Sequence, residues 1–372
     1  NNILEEINLP LVEKIGSDFL LYNESLTTIS LPSVKNIGTK FMKSSVLTSI
    51  DLPLVESIDR EFLEDNRRLE SISLPSVEII GTDFLYRNQY ITNVELPLLK
   101  YAGNRFLSSA KDLTNIKLPS IKTIGDKFLY LNKSLTNIDL PLVETIGEDF
   151  LYGNESISNI NLPLVKTIGS DFLYNNESLT SLDLPLVQGV GYNFIFENKS
   201  LAKVNLPSVV YIRSSFLKQN EALTSIDLPL VESIGNQFLF FNESLENISL
   251  PSVEYIRNDF LYSNESFLKT LKLPKVAGIG SDFLHYNNSL TTLELPKVEN
   301  IDDDFLFNNT SLENLELPSI KILSPNGFLP KNKVLADKVL ASIESTEVRS
   351  KAQMPMFMAN QNGEDVLGFA YD

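Results

Sequence analysis

One dipeptide, Leu-Pro, returns along this chain at an almost constant interval, and that interval limits the fold more than any other feature. Its prolines are Pro10, Pro32, Pro53, Pro75, Pro97, Pro119, Pro141, Pro163, Pro185, Pro207, Pro229, Pro251, Pro274, Pro296 and Pro318. They lie 22 residues apart, with one step of 21 (Pro32 to Pro53) and one of 23 (Pro251 to Pro274). Fifteen copies cover about residues 3–332 of 372. Several independent domains cannot share one pattern at fixed spacing through their whole length. The period therefore predicts a single solenoid of stacked coils.

The unit reads L-x-x-I-x-L-P-x-V-x-x-I-G-x-x-F-L-x-x-N-x-S, as in residues 135–156. Ile138 and Leu140 are two apart, which puts both on one face of a short strand. Pro141 ends that strand, because it has no N–H for the ladder. Val143 and Ile146 then face inward along the next leg. Gly147 marks a corner of positive φ or of close backbone approach. Asp59, Arg213, Arg257, Asp302 and Ser324 stand at the same place in other copies, so positive φ is not obligatory there. Glu148-Asp149-Phe150-Leu151 predicts one helical or 3₁₀ turn with a small or acidic N-cap. Phe fills this place in all fifteen copies, from Phe19 to Phe328, which predicts a stack of rings inside the coils.

Asn near the end of the unit (Asn23, Asn66, Asn88, Asn132 and most others) predicts a buried ladder bonding the turns. Ser45 and Ala110 are exceptions. Asn-x-Ser/Thr sequons occur at Asn23, Asn132, Asn154, Asn176, Asn198, Asn242, Asn247, Asn264, Asn287, Asn308 and Asn309. Ten of these sit at or beside the ladder, so the structural use is preferred to glycosylation.

The stretch L-T-S-I-D-L-P-L-V-E-S-I-G-N-Q-F-L (residues 223–239) resembles the BspA-like leucine-rich repeats. Two departures stand out. The unit is 22 long where that family's is nearer 23, and the family's Ala-Phe and Cys are replaced by Phe-Leu and Asn. The resemblance covers about residues 3–332. It implies an α/β leucine-rich repeat superhelix, with a parallel sheet on the concave face and short helical or 3₁₀ turns on the convex face. It also implies adhesion or partner recognition by a surface or secreted bacterial or protist protein. The unit is also similar to those of leucine-rich repeat effectors delivered into host cytoplasm. Fourteen steps of roughly 4.8 Å give a sheet about 70 Å long.

Composition removes most other functions. Lys and Arg number 31 against 48 Asp and Glu, a net charge of −17 that repels nucleic acid and anionic membranes. With no Cys there are no disulfides, thiolate nucleophiles or Cys-held zinc. No apolar run approaches the roughly 18 residues of a membrane span. The single histidine, His285, falls in a column of aromatic residues and reads as one of them, not as a general base. Asp302-Asp303-Asp304 has the ligand type for calcium, but a solvated corner is the preferred reading. No phosphate-binding glycine loop is present, and the acids recur on every coil without singling out a pair. No catalytic residue, cofactor or metal is expected.

Two columns are candidates for binding. The first is the outward strand position before Leu-Pro: Asp51, Glu95, Asp139, Asp183, Asp227, Glu294 and Glu316, opposed by Lys117 and Lys272. Such a row suits a partner with a basic or polar surface, a cationic protein segment or a glycan. Its bland alternative is a soluble sheet face that blocks edge pairing. The second lies one residue past Phe-Leu: Tyr86, Tyr130, Tyr152, Tyr174, Phe196, Phe240, Tyr262, His285 and Phe307. If open to solvent, these rings suit sugar stacking or a protein hot spot; packing between coils is the alternative. Tyr101, Tyr211 and Tyr255 are expected to extend this column. Residues 333–372 read as a C-terminal helical cap and tail, with a helix from about Asn332 to Thr346 on Val334, Leu335, Val339, Leu340 and Ile343. Leu4 already falls in the strand pattern, which predicts a missing N-terminal cap.

Overall fold

The computed structural model describes residues 4–264, 267–324, 328–329, 331–342 and 347–348. The Leu-Pro period becomes fifteen coils with two short strands each, all pairing parallel to the same strands of neighbouring coils. The first strand is three residues long, as in Asn137–Asp139, and the second is two, as in Thr145–Ile146. Register is maintained from coil to coil, with Ile138 opposite Ile160 and Ile146 opposite Ile168. The parallel solenoid predicted by the period is therefore present.

The two strands behave differently. The two-residue strands form one continuous sheet of 16 strands, completed by Glu347–Val348 pairing with Ile322–Leu323. The three-residue strands join only in small groups: coil 1 with 2, 3 with 4, 5 with 6, 7 with 8, 9 with 10, 11 with 12, and the last three together. This sheet repeats every two coils, whereas the other repeats every coil.

Each coil buries the same residues. Leu135, Ile138, Leu140, Val143, Ile146, Phe150 and Leu151 are inside, and so are their counterparts along most of the chain. The Phe column stacks without a gap from Phe19 to Phe328, with ring centroids 5.1–5.8 Å apart and planes within 12°. Parallel coils fix this spacing, and offset stacking is a favourable geometry at it. The Asn ladder also forms. Asn198 Nδ2 donates to the Leu173 carbonyl at 2.7 Å, while its Oδ1 accepts the Asn176 N–H at 3.0 Å. The ladder asparagines are buried, Asn308 beside the ladder is half-buried, and Asn247 is exposed.

The turn leg corrects the expectation of a helical turn. Within the repeats, no described residue is helical or 3₁₀. Instead, in the first fourteen coils the residues one before, one after and three after Phe are left-handed, with φ from +46° at Met42 to +66° at Gly153. This alternation of hand directs N–H groups across coils instead of along the turn. Asp149 N–H donates forward to the Ser170 carbonyl at 2.9 Å, and Leu151 N–H donates back to Phe128 at 3.1 Å. Each left-handed residue costs on the order of 1 kcal/mol or more, and the inter-coil hydrogen bonds hold it in place. The geometry disfavours β-branching, which accounts for Leu or Met after Phe in every coil except at Ile195.

From Gly38 onward the corner glycines serve close approach and not positive φ. A Cβ on Gly147 would lie 2.7 Å from the Gly125 carbonyl carbon of the coil below. At the C-terminal end the helix α1 spans Lys333–Ser342, and its Leu335, Ala336 and Val339 join the core. Ile343 to Thr346, and the Met354, Met356, Phe357 and Met358 segment, lie outside the described residues.

Candidate recognition surface

The acidic column is real and aligned. Asp51, Glu95, Asp139, Asp183, Asp227 and Glu316 are exposed at the ends of their three-residue strands, and Glu294 is half-buried. From coil 3 to coil 12 acids occupy the odd coils, and each faces a non-acid in the even coil it pairs with: Ser73, Lys117, Asn161, Asn205 or Ser249. Asp139 accepts from the Asn161 amide at 2.7 Å and Asp183 from Asn205 at 2.8 Å. Glu95 lies 3.7 Å from the Lys117 ammonium, and Glu294 lies 2.6 Å from that of Lys272. Like charges directly opposite each other would weaken the ladder, so alternation is the arrangement that keeps an acidic row on paired strands. Glu294 and Glu316 are opposite each other, with Lys272 on the far side of Glu294.

The aromatic column is half-buried along most of its length. Tyr130, Tyr152 and Tyr174 stack with centroids 4.8 and 4.5 Å apart, and Phe196 meets Tyr174 edge-on at 4.8 Å. Ring faces are thus largely used against one another. Tyr152, Tyr174 and Glu197 are hydrogen-bonded in a row, and burial, reinforced by the Glu197 charge, pushes the Tyr174 phenol up to about 12. Burial also raises Tyr130, Tyr152 and Tyr262, and it raises Asp149 and Asp259, which flank the column. In coil 10 the column holds Lys218, whose ammonium lies 5.5 Å from the Phe196 ring centre and 4.8 Å from that of Phe240. His285 is buried, meets Tyr262 and Phe307 edge-on, and binds Asp282 through Nδ1 at 2.9 Å. Tyr101, Tyr211 and Tyr255 do not extend the column, because they open two-residue strands on another leg; the Tyr211 ring covers Gly189.

A third row lies at the residue after Pro. Leu11, Leu54, Leu98, Leu142, Leu164, Leu186 and Leu230 are exposed there. Ser33, Ser76, Ser120, Ser208 and Ser319 take the same place in other coils, where each hydroxyl donates to the proline carbonyl of the coil before at 2.6–2.7 Å. Sequence reasoning left this position unassigned, although the Leu/Ser alternation is legible in the repeat.

The BspA-type leucine-rich repeat region model matches residues 1–109, 100–223 and 211–334. The chain belongs to that family. No curated protein matches this BspA-type chain in sequence. Among solved structures it is similar to a leucine-rich repeat protein of Bacteroides ovatus, at 17% identity and a TM-score of 0.61, over 93% of this chain and 92% of that one. A leucine-rich cell surface protein of Faecalibacterium prausnitzii matches at 19% identity over 85% and 88%, with a TM-score of 0.45. The pneumococcal vaccine antigen PcpA matches at 16% identity over 93% and 89%, with a TM-score of 0.42.

Within the BspA-type coils the Asp302-Asp303-Asp304 corner is not simply solvated. Asp303 is buried, and its carboxylate accepts from the Ser324 hydroxyl. Among the described residues no group of three or more His, Cys, Asp or Glu is placed to hold a metal ion. No described helix is long and apolar enough to cross a membrane. What the surface offers chemically is three parallel rows, acidic, aromatic and aliphatic, each repeated along the stack.

Proposed function

We propose that this chain is a protein-recognition module of a surface-displayed or secreted bacterial protein, holding a host or matrix protein along its extended surface. The observation that carries this reading is the acidic row, exposed at six of its seven positions and paired in register within each group of coils from coil 3 to coil 15. A row of this kind adds contacts in proportion to the number of coils engaged, so it needs no deep pocket. Membership in a repeat family of surface proteins supports the same reading.

Affinity capture from matrix and cell-surface extract, run beside host cytosol, tests it. The comparison protein carries Asp139→Lys, Asp183→Lys and Asp227→Lys. A partner enriched from surface extract, lost with the variant and reproduced with purified partner is the expected result. A partner found only in cytosol would replace this reading with that of a delivered effector. Retention by the triple variant would remove the acidic row from the interface.

A further inference from the structure

The leucine row is continuous at only one place. In coils 1 to 6 the position after Pro alternates Leu11, Ser33, Leu54, Ser76, Leu98, Ser120, and it resumes with Ser208 and Leu230. Coil 8 breaks the alternation with Leu164, so Leu142, Leu164 and Leu186 stand on three adjacent coils, 41%, 38% and 40% exposed. Pro141, Pro163 and Pro185 are half-buried beside them. Nothing in the packing demands leucine here, since serine is accommodated at the same corner with its hydroxyl satisfied. Three adjacent exposed leucines form a contiguous apolar strip, the kind of surface that suits a contact site.

The charges on either side say what fits. Asp139 and Asp183 precede Leu142 and Leu186 by three residues on the same corner, and both are exposed. On the other side Glu144 and Lys166 neutralise each other at 2.9 Å. The net charge beside the strip is therefore negative, on a chain that carries −17 overall. Spacing adds a further constraint. Adjacent coils step by about 4.8 Å, near the 5.4 Å turn of an α-helix and well short of the roughly 6.8 Å between same-face residues of an extended strand.

We propose that the Leu142–Leu164–Leu186 strip seats a basic amphipathic helix of a protein partner, with its apolar stripe on the leucines and its Lys or Arg side chains toward Asp139 and Asp183. This rests on the protein-recognition reading above and names the partner's chemistry. It is helix docking on an apolar stripe, with charge complementarity fixing the side from which the helix approaches.

Two helical peptides of equal length and charge test it. One carries Leu at i, i+3, i+4 and i+7 with Lys elsewhere; the other has Ala at those four positions. The wild-type chain should bind the Leu/Lys peptide at least tenfold more tightly by calorimetry. In a variant with Leu142→Ser, Leu164→Ser and Leu186→Ser that ratio should fall to about one. Serine is the chain's own alternative at this corner, and circular dichroism verifies that the variant is folded. Asp139→Asn with Asp183→Asn should weaken both peptides by the same factor. A ratio near one for the wild-type chain, or an unchanged ratio in the serine variant, overturns the proposal. If that happens while the Asp→Lys variant still loses its captured partner, the recognition reading survives and the strip is not its seat. If the ratio behaves as expected but no surface partner is captured, the strip stands and the matrix reading fails.

Discussion

Two aromatic columns run along this solenoid, two residues apart in the unit, and they obey different rules. The inner one is Phe in all fifteen coils and stacks without interruption. The outer one holds Tyr, Phe or His in nine coils and Leu21, Lys43, Glu64, Ser108, Lys218 or Pro330 in the other six. From Phe41 to Phe305 the inner rings are closed off from solvent, so identity there follows from packing. The outer ring has one side open, where a cation or a carboxylate is solvated or paired with its neighbours. In the second and third coils Lys43 does this with Glu61 and Glu64, at 2.6 and 3.0 Å, and the Glu61 bond holds its ammonium above the usual lysine range. Constancy inside and variety outside is what is expected when interior rows determine the fold and exterior rows do not.

The sharpest way to break this comparison is to truncate one ring from each column in the same coil. Phe172→Ala should cost about 3–5 kcal/mol of stability, while Tyr174→Ala costs about 1–2, both read from denaturant unfolding. Equal losses would dissolve the distinction. Next in size is Asn198→Ala, which strands the Leu173 carbonyl and the Asn176 N–H in the interior. About 2–3 kcal/mol should be lost, showing that a buried polar row is as fixed as the Phe column.

A pH titration sharpens the comparison from the outer side. The folded state holds the Tyr174 phenol at about 12, above the tyrosine value near 10, so the unfolded chain loses this proton first as pH rises. Stability from this group is complete below pH 10 and is lost as pH climbs toward 12. Tyr174→Phe should flatten that part of the stability curve, and ultraviolet titration should lose its latest phenolate step. The smallest effect concerns the turn that both columns share. Gln219→Gly, at a left-handed position that Gly153 fills in coil 7, should raise stability by about 0.5–1 kcal/mol.

Much of the interior was legible in the sequence. The Leu-Pro period placed the coils in register, and the invariant Phe and frequent Asn announced the two buried ladders. The turn reads as helical in the sequence because left-handed residues leave a faint trace. Asp, Asn, Leu and Lys all occupy these positions, and the available signal was the avoidance of β-branched residues after Phe, broken only at Ile195. Both candidate binding columns were located in the sequence. What could not be read there was that the outer rings spend their faces on one another, or that three-residue strands pair two coils at a time. Such facts depend on the angle between neighbouring coils. Single exposed leucines are ordinary, so the leucine row is informative only where Leu142, Leu164 and Leu186 stand on adjacent coils.

The most direct test of the division between interior and exterior is the urea midpoint of one multiple variant. It combines Leu142→Ser, Leu164→Ser, Leu186→Ser, Asp139→Asn, Asp183→Asn and Asp227→Asn. If exterior rows do not determine the fold, its midpoint lies closer to that of the wild-type chain than the midpoint of Phe172→Ala alone does. A midpoint at or below that of the single Phe172→Ala protein would contradict the account, because surface rows would then be holding the solenoid together.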